Sequence, residues 1–287
     1  MAKARNGGGK LTRMLLEGKT ALVTGSTDGV GRLVAIRLAE RGAHVLLHGR
    51  DRSRGEQVLD RIRAVGRGSA TFLPADFSAL GEVRGLAEAV RGNCKRLDIH
   101  INNAGIGSGG SAVKREISQD GYELRFAVNY LSGFLLTGLL LPLMVHSKPA
   151  RIVNVSSLGQ HPIDFDDVML TRDYSGGRAY TQSKLAQIMF TFDLARELDP
   201  ATVTANCLHP ATYMATTMVR QSGVTPISTV AEGAEAILNL AVSDELAGVS
   251  GEFYNGLRPA RANAQAYNDK AREQLRVLTG RLTGFAS

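Results

Sequence analysis

The sequence predicts a single-domain α/β fold, a doubly wound parallel sheet of about seven strands with helices on both faces. Short β-branched or Leu-rich runs alternate along the chain with longer amphipathic stretches. The short runs are continuously apolar, the pattern of strands covered on both faces. No repeat and no Pro-, Ser- or charge-rich linker divides the 287 residues.

Strands are expected at 19–24, 43–48, 69–74, 97–102, 151–156, 202–208 and 251–254. Helices are expected between them at 29–41, 52–65, 79–91, 120–146, 177–198 and 229–241, with one more in the stretch 259–280. The expected domain organisation is a flexible basic tail at 1–16, a dinucleotide-binding and catalytic domain at 17–258, and a C-terminal helical extension at 259–287.

At 44% hydrophobic and 21% charged, the composition is globular and excludes global disorder. Thirty-two glycines against 8 prolines, with no triplet period, suggest tight turns rather than collagen or linker. Cys94 and Cys207 have no CxxC partner, which excludes a disulfide framework and a Cys-rich zinc site. The net charge of +7 is carried mainly by Arg residues scattered at helical spacing with acids. That pattern describes solvated helix faces, so no nucleic-acid partner is expected. No secretory signal is expected from the basic, Gly-rich start, and the longest apolar run, 131–145, is interrupted by Pro142 and falls short of the ~18 residues of a membrane span. A cytoplasmic protein with no membrane span is expected.

In such sheets ligands bind beyond the carboxyl ends of the strands, so the residues just past each strand matter most. After the first strand come Thr24, Gly25, Ser26, Thr27, Asp28, Gly29, Val30 and Gly31. Glycines there let backbone approach a diphosphate, and the helix after them offers free N–H groups to it. After the second come Gly49, Arg50 and Asp51, without the acidic residue that would reject a 2′-phosphate. Arg50 could pair with that phosphate, so NADP(H) is favoured over NAD(H), although Asp51 could occupy Arg50 instead. The third ends at Asp76 and Phe77, where Asp76 could accept from an adenine amino group, and the fourth at Asn103, Ala104 and Gly105, small enough for a cofactor to lie against. Each is equally compatible with a cap or turn.

Ser156 and Ser157 close the fifth strand, and strand alternation alone does not choose between them. Tyr180 and Lys184, spaced i, i+4, share one helix face. A neighbouring ammonium and an oxidised nicotinamide would draw the tyrosine pKa down from about 10 toward a working range. The Asp164, Asp166 and Asp167 group has no His or Cys at ligand spacing and is expected to be a solvated loop without metal.

Taken together, TGSTDGVG, NNAG, AVNYLSGFLLT, NVSS and YTQSK resemble the short-chain dehydrogenase/reductase family in its single-domain branch, over about residues 17–255. Within it, DGYELRFAVNYLSGFLLTGLLLP, RIVNVSSLG and RAYTQSKLAQIMFT are most similar to retinol-dehydrogenase-like members. The resemblance implies a Rossmann-type fold and a catalytic group of Asn129, Ser157, Tyr180 and Lys184. Tyr180 would be the acid/base, and Ser157 would polarise the carbonyl. Lys184 would hold the ribose and lower the Tyr180 pKa, while Asn129 would hold a relay water. It also implies cofactor contacts at Pro210 and at Thr212 or Thr216, with Thr212 favoured; Ala211 departs from the family's Gly. His209 and His161 are read as structural.

The expected function is therefore an NADP(H)-dependent alcohol dehydrogenase or carbonyl reductase. The alternatives are a catalytically silent NADP-binding sensor or interaction protein, and a redox-assisted epimerase or dehydratase. Substrate walls are expected at 107–113, 158–177 and 213–227, where Ile163, Phe165, Met169, Tyr213, Met214 and Met218 suggest a lipophilic small molecule. A homodimer or homotetramer is expected from apolar surplus on helices 120–146 and 179–198, at Leu135, Leu139, Ile188, Phe190 and Phe192.

Overall fold

The computed structural model describes residues 15–109 and 114–285. Each continuously apolar run forms a strand: β1 (Thr20–Val23), β2 (His44–Gly49), β3 (Ser69–Pro74), β4 (Ile99–Asn102), β5 (Ala150–Val155), β6 (Val203–His209) and β7 (Phe253–Asn255). They are parallel and lie in the order β3-β2-β1-β4-β5-β6-β7. An eighth strand, β8 (Arg258–Ala260), extends the count expected from sequence. Gly256, at φ +60°, turns the chain back so that Asn255 pairs with Arg258, antiparallel at the sheet edge.

Alternation along β1 sends Ala21 and Val23 into one core layer and Leu22 into the other. On the first face lie α1 (Gly29–Glu40), α2 (Arg52–Val65) and α8 (Val230–Val242). On the second face lie α3 (Leu80–Asn93), α5 (Ser132–His146), α6 (Gly176–Glu197) and α9 (Asp269–Thr283). The short helices α4 (Leu124–Phe126) and α7 (Thr217–Gln221) border the carboxyl end of the sheet. The strand order reverses between β1 and β4, which opens a crevice at their carboxyl ends.

Three boundaries differ from expectation. The helix expected from residue 120 starts at Leu124 and passes through a wide π-type turn at Ala127–Leu131 before α5. The extension expected to be helical from 259 begins with β8 and a short 3₁₀ turn at Ala264–Tyr267, and only then becomes α9. Residues 1–14 of the expected tail lie outside the described residues, while Leu16 is buried and donates to the Arg41 carbonyl at 2.7 Å.

By length and composition, Leu124–His146 is apolar enough to cross a membrane, unlike the shorter run counted from sequence. In this fold it is a core helix: Phe126, Leu131, Leu135, Leu136 and Leu140 are fully or almost fully buried.

The packing covers part of the apolar surplus from which an oligomer is expected, while Leu139 and Phe190 stay half-buried. Leu135 and Ile188 are fully buried within the chain, Phe192 nearly so, and Phe190 packs on Phe134 with ring centroids 5.0 Å apart. α9 then folds over α5 and α6, and a Cβ at Gly138 would sit 2.3 Å from the Phe285 ring. What stays open is a groove of about 420 Å³ lined by Phe134, Leu141, Pro142, Val145, Phe190 and Phe285.

Candidate active site

The floor of the crevice is a knot between the loops after β1 and β4. Thr24 Oγ1 accepts the N–H groups of Asn103 and Ala104, both at 3.0 Å, and Asn103 Nδ2 donates to the carbonyls of Thr24 (2.9 Å) and Gly25 (3.2 Å). Only glycine permits this approach. Gly25 has φ +65° and a Cβ there would meet Ala104 Cα at 2.8 Å; one at Gly31 would meet Asn103 Nδ2 at 2.3 Å.

Within the loop the side chains have internal duties. Ser26 is fully buried, its Oγ accepting from His48 N at 2.9 Å. Thr27 packs so tightly against Gly49 that a Cβ at 49 would lie 2.6 Å from its hydroxyl. Asp28 caps α1 by accepting from Gly29 N at 2.7 Å, and Thr217 and nearby Arg side chains also help hold its carboxyl below the usual range against the opposing effect of burial. The next amides, Val30 and Gly31, have no acceptor within the helix and face the crevice end of the sheet.

At the end of β2, Asp51 does not occupy Arg50. It caps α2 by accepting from Arg54 N at 3.0 Å and pairs with Arg54 Nε at 3.3 Å. Arg50 leans instead toward Asp76, at 3.9 Å, and is 69% exposed. Arg54, which sequence reasoning missed, joins the same rim through Asp28 at 3.5 Å. Phe77 does not present its ring to a ligand: it is buried, stacked on His48 at 4.2 Å. His48 was also missed. Its Nδ1 accepts from Gly25 N at 3.1 Å, which makes Nε2 the donor to Ala75 O at 3.1 Å. Burial lowers its pKa to about 4, so the imidazole is neutral and ties the Gly-rich loop to the end of β3.

The four residues assigned to chemistry converge at the ends of β4 and β5. Ser156 turns away, donating to Lys184 O at 2.7 Å, whereas Ser157 Oγ stands beside the Tyr180 ring: a Cβ at Gly159 would lie 3.5 Å from the first and 4.0 Å from the second. Burial raises the Tyr180 pKa above its ordinary value, and the neighbouring Ser157 hydroxyl draws it partly back. One helical turn on, Lys184 Nζ lies 5.8 Å from the Tyr180 ring centre. It donates to Val155 O and to Gln187 Oε1, both at 2.9 Å, which engages two of its three donors. Burial lowers its pKa to about 7. Asn129 sits in the π-type turn. Its Nδ2 donates to Ile106 O (3.1 Å) and Ser183 Oγ (2.9 Å), and its Oδ1 accepts from Ile106 N at 2.8 Å. Gly105 lies between them: a Cβ there would stand 3.1 Å from Asn129 Oδ1 and 3.6 Å from Lys184 Nζ.

Pro210 is buried after β6, and Thr212 Oγ1 lies 3.0 Å from His209 Nε2. His209 is almost buried and faces the Lys184 charge; burial first, then that charge, lowers its pKa to about 4. Thr216 caps α7 through Val219 N at 3.3 Å and is the side chain nearest Gly29.

The expected lipophilic wall is redistributed. Ile163 belongs to the core, Phe165 and Met169 pack against it, and Met214 packs on the other core layer. Exposed at the mouth are Leu158, Tyr213, Met218 and Ile227. Residues 110–113 of the expected wall lie outside the described residues. The non-glycine residues described with positive φ (Leu170, Asp173 and Tyr213) all lie in these walls.

A profile of the short chain dehydrogenase family matches residues 19–225. Human retinol dehydrogenase 13 is 35% identical over 300 residues, covering 97% of this chain and 88% of its own length. An uncharacterised protein from Mycobacterium paratuberculosis superposes with a TM-score of 0.77 at 29% identity, covering 94% of each chain. A short chain dehydrogenase from Shigella flexneri, crystallised with NADP, superposes at 0.70 with 27% identity, covering 85% of this chain and 99% of that one. The chain belongs to the short chain dehydrogenase family and is retinol-dehydrogenase-like. It is a hydride-transfer oxidoreductase of the nicotinamide-binding fold, acting on a small molecule.

Proposed function

We propose that this protein is an NADP(H)-dependent alcohol dehydrogenase or carbonyl reductase for a lipophilic substrate. The observation that carries the reading is Ser157 and Tyr180 side by side, set near the buried Lys184 ammonium and the bare backbone of Gly105. When bound, the nicotinamide supplies or accepts the hydride.

The residues present fit that group. Gly25, Gly31 and Gly105 leave cradles that any Cβ would fill. The first-turn amides of α1 suit a diphosphate, and Arg50 with Arg54 forms a cationic rim suited to a 2′-phosphate. Asp76 would accept from the adenine. Thr212, oriented by His209, would meet the carboxamide.

Tyr180 gives its proton to the carbonyl oxygen in reduction and takes it from the alcohol in oxidation. Ser157 donates to the same oxygen and holds it against Tyr180. The third N–H of Lys184 would hold the ribose, and its charge would stabilise the tyrosinate. The remaining lone pair of Asn129 Oδ1 faces the same space over Gly105, where a water would link it to Lys184. Leu158, Tyr213, Met218 and Ile227 offer an apolar mouth. The presence of Tyr180, Lys184, Ser157 and Asn129 together weighs against a silent sensor.

The test is a panel of lipophilic alcohols and carbonyls with each cofactor, followed by reduced-nicotinamide absorbance and product mass. Turnover with NADP(H), abolished in Tyr180→Phe, is the expected result. No turnover with any member would reject the reading.

A further inference from the structure

The family profile ends at residue 225, so the C-terminal extension lies wholly outside it. That extension nevertheless reaches two of the four candidate catalytic residues at one remove. Gln160 is bonded at both ends: its Nε2 donates to the Ser157 carbonyl at 2.9 Å and its Oε1 accepts from Asn263 N at 2.6 Å. Gln265 then clasps Ile163 in both directions, accepting from its N–H at 2.6 Å and donating to its carbonyl at 3.1 Å. On the other side of the site is Tyr130, next to Asn129 in the π-type turn. Its hydroxyl lies 2.8 Å from Thr279 Oγ1 of α9. Thr279 gives its own hydrogen to Leu275 O at 2.7 Å, so Tyr130 is the donor.

We propose that the C-terminal extension is a positioning element of the active site, holding Ser157 through Gln160 and the Asn129 turn through Tyr130. The inference rests on the function proposed above. Between β5 and α6 the chain from 156 to 175 has no helix or strand of its own and carries strained φ angles at Leu170 and Asp173. A segment of that kind does not fix a hydroxyl to a fraction of an ångström unless other elements hold it. A π-type turn is likewise a local departure from helix geometry that neighbours must hold in place. Covering the apolar face of α5 and α6 is a separate duty, performed by Leu275 and Phe285.

The experiment compares kcat, KM and the pH profile of native protein, Tyr180→Phe, Gln160→Met and Tyr130→Phe on one substrate from the panel. Tyr130→Phe removes a single oxygen and leaves Thr279 bonded to Leu275, so it decides the matter even if Gln160→Met does not fold. Both positioning variants should lose roughly tenfold in kcat, the scale of a sub-ångström misplacement, with cofactor affinity unchanged. In Gln160→Met the alkaline midpoint of oxidation should also rise, because a displaced Ser157 no longer lowers the Tyr180 pKa. Thr279→Ser keeps the hydroxyl and should keep the native rate. Arg196→Ala, which removes only an exposed ion pair to Asp269 of α9, should do so too. Native kcat and pH profile in Tyr130→Phe and in Gln160→Met where it folds, with Tyr180→Phe inactive, would overturn the proposal and leave the proposed function standing. A native protein that transfers no hydride to any panel member would remove both.

Discussion

Arg50 faces Asp76 across 3.9 Å, although Asp51 is its immediate neighbour in the chain. Asp51 is held by the amide and guanidinium of Arg54, so the Arg50 head stays at the rim with one weak, solvated partner. A 2′-phosphate would displace that contact at little cost.

Arg50→Ala should therefore weaken NADP(H) by about 1.5–3 kcal/mol, roughly ten- to a hundredfold, and leave NAD(H) nearly unchanged. Titration of both cofactors against native and variant protein measures this. Equal losses would remove Arg50 from phosphate recognition.

Tyr180 starts from a raised pKa, since burial outweighs the effect of the Ser157 hydroxyl beside it. Its ionisation, followed as the ultraviolet titration difference between native protein and Tyr180→Phe, should have a midpoint above 10 in the free protein. Oxidised cofactor brings a positive charge beside the hydroxyl and should lower it, so alcohol oxidation rises with pH and its midpoint falls below the free value. Lys184→Met should weaken cofactor affinity and raise the Tyr180 midpoint further, because a second positive charge is lost. An unchanged midpoint would show that Lys184 does not act on Tyr180.

His48 carries a pH dependence of stability. Its pKa is 6.5 ordinarily and about 4 in the fold, so between these values the unfolded chain binds more protons. The stability it contributes is complete above about pH 6.5 and is lost as pH falls toward 4, on the order of 3 kcal/mol at most. His48→Phe keeps a ring against Phe77 but loses the bonds to Gly25 and Ala75. It should be less stable at pH 7, with a shallower acid slope than native protein. Thermal melts at several pH values would show equal slopes if His48 were irrelevant.

The homodimer or homotetramer expected from the sequence is open to direct measurement, and the apolar groove beside α9 is a face of these helices still available to a partner. Light scattering at micromolar concentration should give the mass of two or four chains; the mass of one chain would remove the expectation.

Local chemistry made much of this protein legible in its sequence. Continuous apolar runs, amphipathic stretches and Gly-rich turns are short-range signals, so the parallel sheet and the segments beyond its strands could be read directly. Tyr180 and Lys184 were readable for the same reason, because helical spacing alone puts them on one face. Non-local pairing decided the rest. Ser156 and Ser157 are equivalent in sequence, and only the packing of β5 against α6 turns the first toward Lys184 O and the second toward Tyr180. Asp76 reaches Arg50, and His48 reaches Gly25, because β1, β2 and β3 lie side by side in register. The cover over α5 and α6 comes from α9, which lies well downstream of both in the chain. Apolar periodicity records that a face must be buried, but the tertiary structure determines which element buries it.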